Sequence, residues 1–129
     1  METMTTQPTV KGPDQWFTGD VWIDAITRGV DPSSKAAVNA VRFAPGARTA
    51  WHSHSTGQTL YVTDGAGLVQ PRDGEALAIR AGDVVHAPAG EWHWHGADAD
   101  HFMTHLSITD GDASWGDHVT DDEYQGSGR

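Results

Sequence analysis

A chain of 129 residues is the length of one domain and can bury a single core. It has no cysteine, which excludes disulfides, thiolate ligands and cysteine nucleophiles, and its formal net charge of −10 disfavours nucleic acid and anionic lipid as partners. Apolar runs fall short of a membrane span and the N-terminus lacks a basic-then-apolar signal, so a soluble, cytoplasmic protein is expected.

Residues 1–12 are polar and threonine-rich, and read as a flexible arm ahead of one domain over residues 13–129. Short β-prone runs then follow in chain order: Trp22–Ile26, Val38–Phe43, Ala50–His54, Thr59–Thr63, Gly67–Gln70, Ala76–Ile79, Asp83–Ala87, Trp92–His95 and Phe102–Ile108. Turn signals separate them at Pro45-Gly46, Asp64-Gly65, Asp73-Gly74, Ala81-Gly82 and Pro88-Ala89-Gly90. This rhythm predicts an all-β antiparallel sandwich or barrel. Thr120-Asp121-Asp122-Glu123 reads as a capping box that opens a short C-terminal helix.

Alternation along a strand gives His52 and His54 the same face, so both imidazoles can enter one cavity. Gln58 shares a face with Leu60 and Val62, and an inward-facing amide costs desolvation unless something satisfies it. A second strand carrying His93 can face them across a small barrel. Three neutral imidazoles and an amide oxygen suit one divalent transition metal with positions left open for substrate. Because glutamine brings no charge, the ion keeps its full 2+ charge and is the stronger Lewis acid.

His95 lies two residues beyond His93 on the same face, and His105 sits on another strand, flanked on its own face by Met103 and Ser107. Like charge from a nearby cation keeps such imidazoles neutral and therefore basic, or else they only orient the ligands. His86, His101 and His118 read as peripheral. Trp51, Trp92 and Trp94 point away from the ligand histidines, toward the C-terminal segment or a subunit interface. Asn39, Val41, Leu60 and Phe102 are candidates to line the pocket.

The stretch from Gly46 to Gly65 reads G-x(5)-H-x-H-x(3)-Q-x(6)-G, and that from Gly82 to His93 reads G-x(5)-P-x-G-x(2)-H. These resemble the two motifs of the cupin superfamily, with Gln58 in place of the commoner glutamate and Ala97 where asparagine usually ends the second. Lys11-Gly12-Pro13, Trp16-Phe17-Thr18-Gly19, the run Phe43–His52, Gly57-Gln58-Thr59-Leu60, His93-Trp94-His95-Gly96-Ala97, Met103-Thr104-His105 and His118-Val119-Thr120-Asp121 extend the similarity. Together they resemble small bacterial cupins that act as manganese-dependent hydroxynitrile lyases.

The resemblance implies a single-domain cupin, a conical jelly-roll β-barrel with a short C-terminal helix. It implies Mn(2+) held by His52, His54, Gln58 and His93, although these ligands would also accept Fe, Co, Ni or Zn. It places His95 and His105 beside the metal, where either could be the base in reversible cleavage of an aromatic cyanohydrin of the mandelonitrile type. The expected partners are a small-molecule substrate and further copies of the chain, as a dimer or tetramer. Two other readings stay open: a metal-dependent cupin dioxygenase or oxidoreductase, and a non-catalytic small-molecule-binding cupin.

Overall fold

The computed structural model describes residues 1–29 and 33–126. Among these the strands are β1 (Val10–Lys11), β2 (Phe17–Thr18), β3 (Val21–Arg28), β4 (Ala37–Phe43), β5 (Arg48–Thr49), β6 (His52–His54), β7 (Gln58–Pro71), β8 (Leu77–Arg80), β9 (Val84–Ala87), β10 (His93–Ala97), β11 (Met103–Thr109) and β12 (Ala113–Trp115), followed by helix α1 (Asp121–Gln125). All pairings are antiparallel, in the order β1-β3-β4-β11-β7-β10-β5-β2, with β8 and β9 on β7 and β12 joined through β6 to β10. The sheet curls on itself around a core that includes Val21, Val41, Phe43, Leu60, Val62 and Met103.

Period-two burial sets the inside. Along β11, Met103, His105 and Ser107 are buried while Thr104, Leu106 and Ile108 are more exposed. The start of β7 buries Gln58, Leu60 and Val62 and turns Thr59, Tyr61 and Thr63 outward.

The Asp64-Gly65 turn expected from the sequence does not form, and the two runs on either side of it are one strand of 14 residues. Gly65 adopts φ +78° within it, a conformation that costs glycine little. The backbone there runs against the Phe102 carbonyl, leaving no room for a side chain. The ladder continues across the bend, with β11 pairing up to Gly65 and β10 from Gly67. One strand thus passes from one side of the barrel to the other.

The expected strand over Ala50–His54 is instead broken. Ala50 N–H donates to Trp16 O (2.8 Å) and Trp51 N–H to Asp117 O (2.9 Å), so segments from both ends of the chain hold this stretch outside any ladder. The short strands β1, β2, β5 and β12 are additions to the sequence reading. Val10 and Lys11, within the stretch read as an arm, pair with Ile23 and Trp22.

The terminal helix forms with the capping box intact: Thr120 N–H donates to Glu123 Oε1 (3.0 Å) and Glu123 N–H to Thr120 Oγ1 (3.1 Å). Beneath it lies a second apolar cluster of Trp51, Leu68, Trp94, Val119 and Tyr124, as alternation predicts for Trp51 and Trp94. Arg48, on β5 and 5% exposed, ties the segment down. Its guanidinium donates to Val119 O (2.8 Å) and Asp121 Oδ1 (2.8 Å) and lies 4.6 Å over the Tyr124 ring.

Candidate metal centre

His52 on β6 is directly opposite His93 on β10, so two of the predicted ligands meet across a single ladder rung. Their ring centroids are 4.4 Å apart, and the His54 ring stands 5.1 Å from His52 and 5.9 Å from His93. One ligand atom from each of His52, His93 and His95 can be chosen so that all three lie within 4.8 Å of one another. Gln58 Oε1 is 3.0 Å from His93 Nε2. All four predicted ligands are buried, as are His95 and His105.

The hydrogen bonds decide which atoms face inward. His52 Nδ1–H donates to Ala50 O and His93 Nδ1–H to Glu91 O, each at 2.9 Å. A neutral imidazole has one N–H, so each Nε2 then carries only a lone pair. The Gln58 amide donates through Nε2 to Ser107 Oγ (2.8 Å), which turns its oxygen toward His93. Gln58 Oε1 and His93 Nε2 therefore meet as two acceptors with no proton between them. Burial lowers the pKa of His93, outweighing the help of Glu91, so protonation does not relieve the contact near neutral pH. A shared metal ion would. Two donors about 2.1 Å from one ion, near right angles, lie about 3 Å apart. His54 Nε2, buried and without a hydrogen-bond partner, is a further donor of the same kind.

Electrostatics agree with a cluster built to stay unprotonated. Burial, then the neighbouring His93, pushes His52 down to about 3 and His54 to about 4. His95 is lowered well below the usual histidine range by burial and then by His105. Burial pushes His105 down to about 4. His95 Nδ1 and His105 Nε2 are 3.0 Å apart, and Phe43 lies against both rings. The outer nitrogens of this pair, His95 Nε2 and His105 Nδ1, are buried without a hydrogen bond of good geometry, although His105 Nδ1 lies near backbone of its own residue and Leu106.

A cavity of about 270 Å³ opens beside these groups. His52, His54, Gln58, His95, His105 and Ser107 form its polar side, and Trp16, Phe17, Ile23, Val41 and Trp115 its apolar wall. Trp115 stacks on His52 at 4.6 Å and on Trp16 at 5.1 Å.

Residues 39–109 match the Cupin domain family. The chain belongs to the cupin family. This cupin is similar to the (R)-mandelonitrile lyase of Granulicella tundricola, 49% identical over 124 residues that span 93% of this chain and 94% of that protein. The crystal structure of a cupin-like protein from Thermotoga maritima superposes with a TM-score of 0.85 at 41% identity, covering 91% of each chain. A shorter likeness, 30% identical over 66 residues, links 51% of this cupin to 19% of a gentisate 1,2-dioxygenase from a Ralstonia species.

The structure brings together all six residues singled out from sequence. The tightest histidine group, however, includes His95 rather than His54. His86, His101 and His118 are exposed, away from the cluster. Of the pocket candidates, Asn39 and Val41 line the cavity, whereas Leu60 sits in the core and Phe102 is 52% exposed. Sequence reasoning missed Trp16, Trp115 and Thr49 as cavity residues and Ser107 as the partner of Gln58. Strand parity could have found Ser107, two residues past His105. Trp115 gave no such signal, because β12 is three residues long and was not expected.

Proposed function

We propose that this cupin is a metal-dependent hydroxynitrile lyase, cleaving an aromatic cyanohydrin of the mandelonitrile type reversibly to aldehyde and hydrogen cyanide. The observation that carries the reading is a buried set of acceptor atoms beside a neutral histidine pair, in a cavity walled by aromatic rings. Likeness across nearly the whole chain to a protein named as an (R)-mandelonitrile lyase supports it.

His52, His54, Gln58 and His93 would hold the ion, Mn(2+) by family resemblance and Fe, Co, Ni or Zn by ligand chemistry. Family resemblance assigns His54 rather than His95 to this set, and leaves His95 to pair through Nδ1 with His105. When bound, the ion supplies a Lewis acid that holds and polarises the substrate oxygen. Trp16, Phe17 and Trp115 receive the aromatic ring and keep water from the site.

The His95–His105 pair moves the proton. With both rings neutral and one proton in their shared hydrogen bond, a single N–H remains for the two outer nitrogens. One end is then a base and the other an acid. The base end takes the hydroxyl proton as the carbon–carbon bond breaks, its electron pair leaving with cyanide and a carbonyl forming. Proton delivery to cyanide gives HCN and returns the pair to neutrality.

Mandelonitrile cleavage by manganese-loaded protein, compared with protein stripped by chelator, tests this reading. The loaded protein should be faster by orders of magnitude; equal rates would remove the lyase assignment. Oxygen uptake with a phenolic substrate, with no cyanohydrin cleavage, would put a dioxygenase in its place. The local likeness to gentisate dioxygenase favours that reading, and the absence of a carboxylate among the four ligands weighs against it.

A further inference from the structure

We infer that Ser107 is the positioning residue that makes Gln58 a metal ligand, by holding its amide with the oxygen inward. The inference rests on Gln58 belonging to the ligand set proposed above. Gln58 opens β7, and Ser107 lies on the neighbouring β11, where it pairs with Leu60. The two side chains are therefore diagonal neighbours on the inner face, and both are buried, at 4% and 8% exposure. Gln58 Nε2–H donates to Ser107 Oγ at 2.8 Å while Oε1 faces His93 Nε2 at 3.0 Å.

An amide can occupy this space in two ways. Turned over, its NH2 would donate to the lone pair on His93 Nε2, a satisfactory hydrogen bond that leaves no oxygen for an ion. The observed orientation gives up that bond and sets two acceptors face to face. It also requires a separate acceptor for the NH2 group, and Ser107 Oγ is that acceptor. Take the hydroxyl away, and the oxygen-inward state has a buried NH2 group with no partner, while the turned-over state loses a donor to its carbonyl but keeps its N–H satisfied by the lone pair of His93. The balance then tips toward the orientation that cannot bind metal.

A carboxylate at position 58 would not face this choice, since both of its ends are oxygens. Dependence on Ser107 should therefore follow the amide. That separates an orienting role from a merely structural one.

Titration of chelator-stripped protein with cobalt(II) chloride, followed by visible absorption, measures the site without any cyanohydrin. Ser107→Ala should weaken Co(2+) affinity by tenfold or more, in the range expected when a ligand loses its supporting hydrogen bond. In a Gln58→Glu background the same substitution should cost less than threefold. Unchanged affinity in Ser107→Ala, or an equal loss in both backgrounds, would overturn the inference. Melting of the stripped variants by circular dichroism registers any general loss of fold, which would weaken binding equally in both backgrounds. Failure of the wild-type protein to bind cobalt would instead strike at the ligand set itself.

Discussion

On the proposed lyase reading, His105 would serve turnover without holding the metal. It is fully buried, its Nε2 meets His95 Nδ1 at 3.0 Å, and it belongs to β11 rather than to the strands carrying His52, His54 and His93. His105→Ala should therefore keep its metal and lose turnover by about 10²- to 10⁴-fold, the usual worth of a positioned acid–base group. Metal analysis beside a mandelonitrile assay checks this; metal lost in step with activity would give His105 a structural role instead. His54→Ala should behave oppositely, losing metal content along with turnover. At this scale the histidines were legible because alternation on a strand is local. The same alternation puts Ser107 on the inner face, but its contact to Gln58 and the stacking of Trp115 on His52 were not legible, because each joins residues on strands far apart in sequence whose register no local spacing fixes.

Among the elements, β7 carries the most consequence. It begins at a proposed ligand, Gln58, and ends at Pro71, which pairs with His93. Between them Gly65 takes φ +78° against the Phe102 carbonyl. Gly65→Ala would force a β-carbon into backbone in a left-handed conformation that alone costs about 1–2 kcal/mol. A loss of stability beyond about 2 kcal/mol is expected in urea melts; a change under about 0.5 kcal/mol would show that the bend relaxes freely. The Asp-Gly pair was read as a turn because that dipeptide between apolar runs is the usual hairpin signal. What overrides it is tertiary: β11 and β10 supply hydrogen-bond partners on both sides of the bend, so the chain need not reverse. The remaining long strands were readable from β-branched runs and turn residues. The two-residue strands were not, since their pairing is imposed by neighbours rather than by their own composition.

The whole molecule has a stability that should depend on acid in one direction. In the folded, metal-free protein burial holds His52 down at about 3 and His105 at about 4, against an ordinary value of 6.5. Below pH 6.5 the unfolded chain takes up protons that the folded chain refuses, so stability is full above that pH and falls as pH drops toward 4. Each such histidine contributes up to about 1.4 kcal/mol per pH unit through that window. Urea midpoints of stripped protein at neutral pH and near pH 5 provide the measurement, and equal midpoints would contradict it. We also propose that copies associate through the outer side of the sheet, where Trp22, Ile26, Tyr61, Val84 and Ile108 remain exposed. Light scattering should return a multiple of the chain mass, and a strictly monomeric value would remove the proposal.

The pair of stacked indoles over the cavity has a bearing on when the protein becomes competent. Trp16 and Trp115 lie 99 residues apart in the chain, and the His52 ring lies under Trp115. A chain emerging from the ribosome possesses every proposed ligand once residue 93 has been made, yet β11, which joins β4 to β7 and carries Ser107, follows only by residue 109, and Trp115 later still. Synthesis order thus completes the aromatic wall last, after the ligands and after the strand that orients one of them.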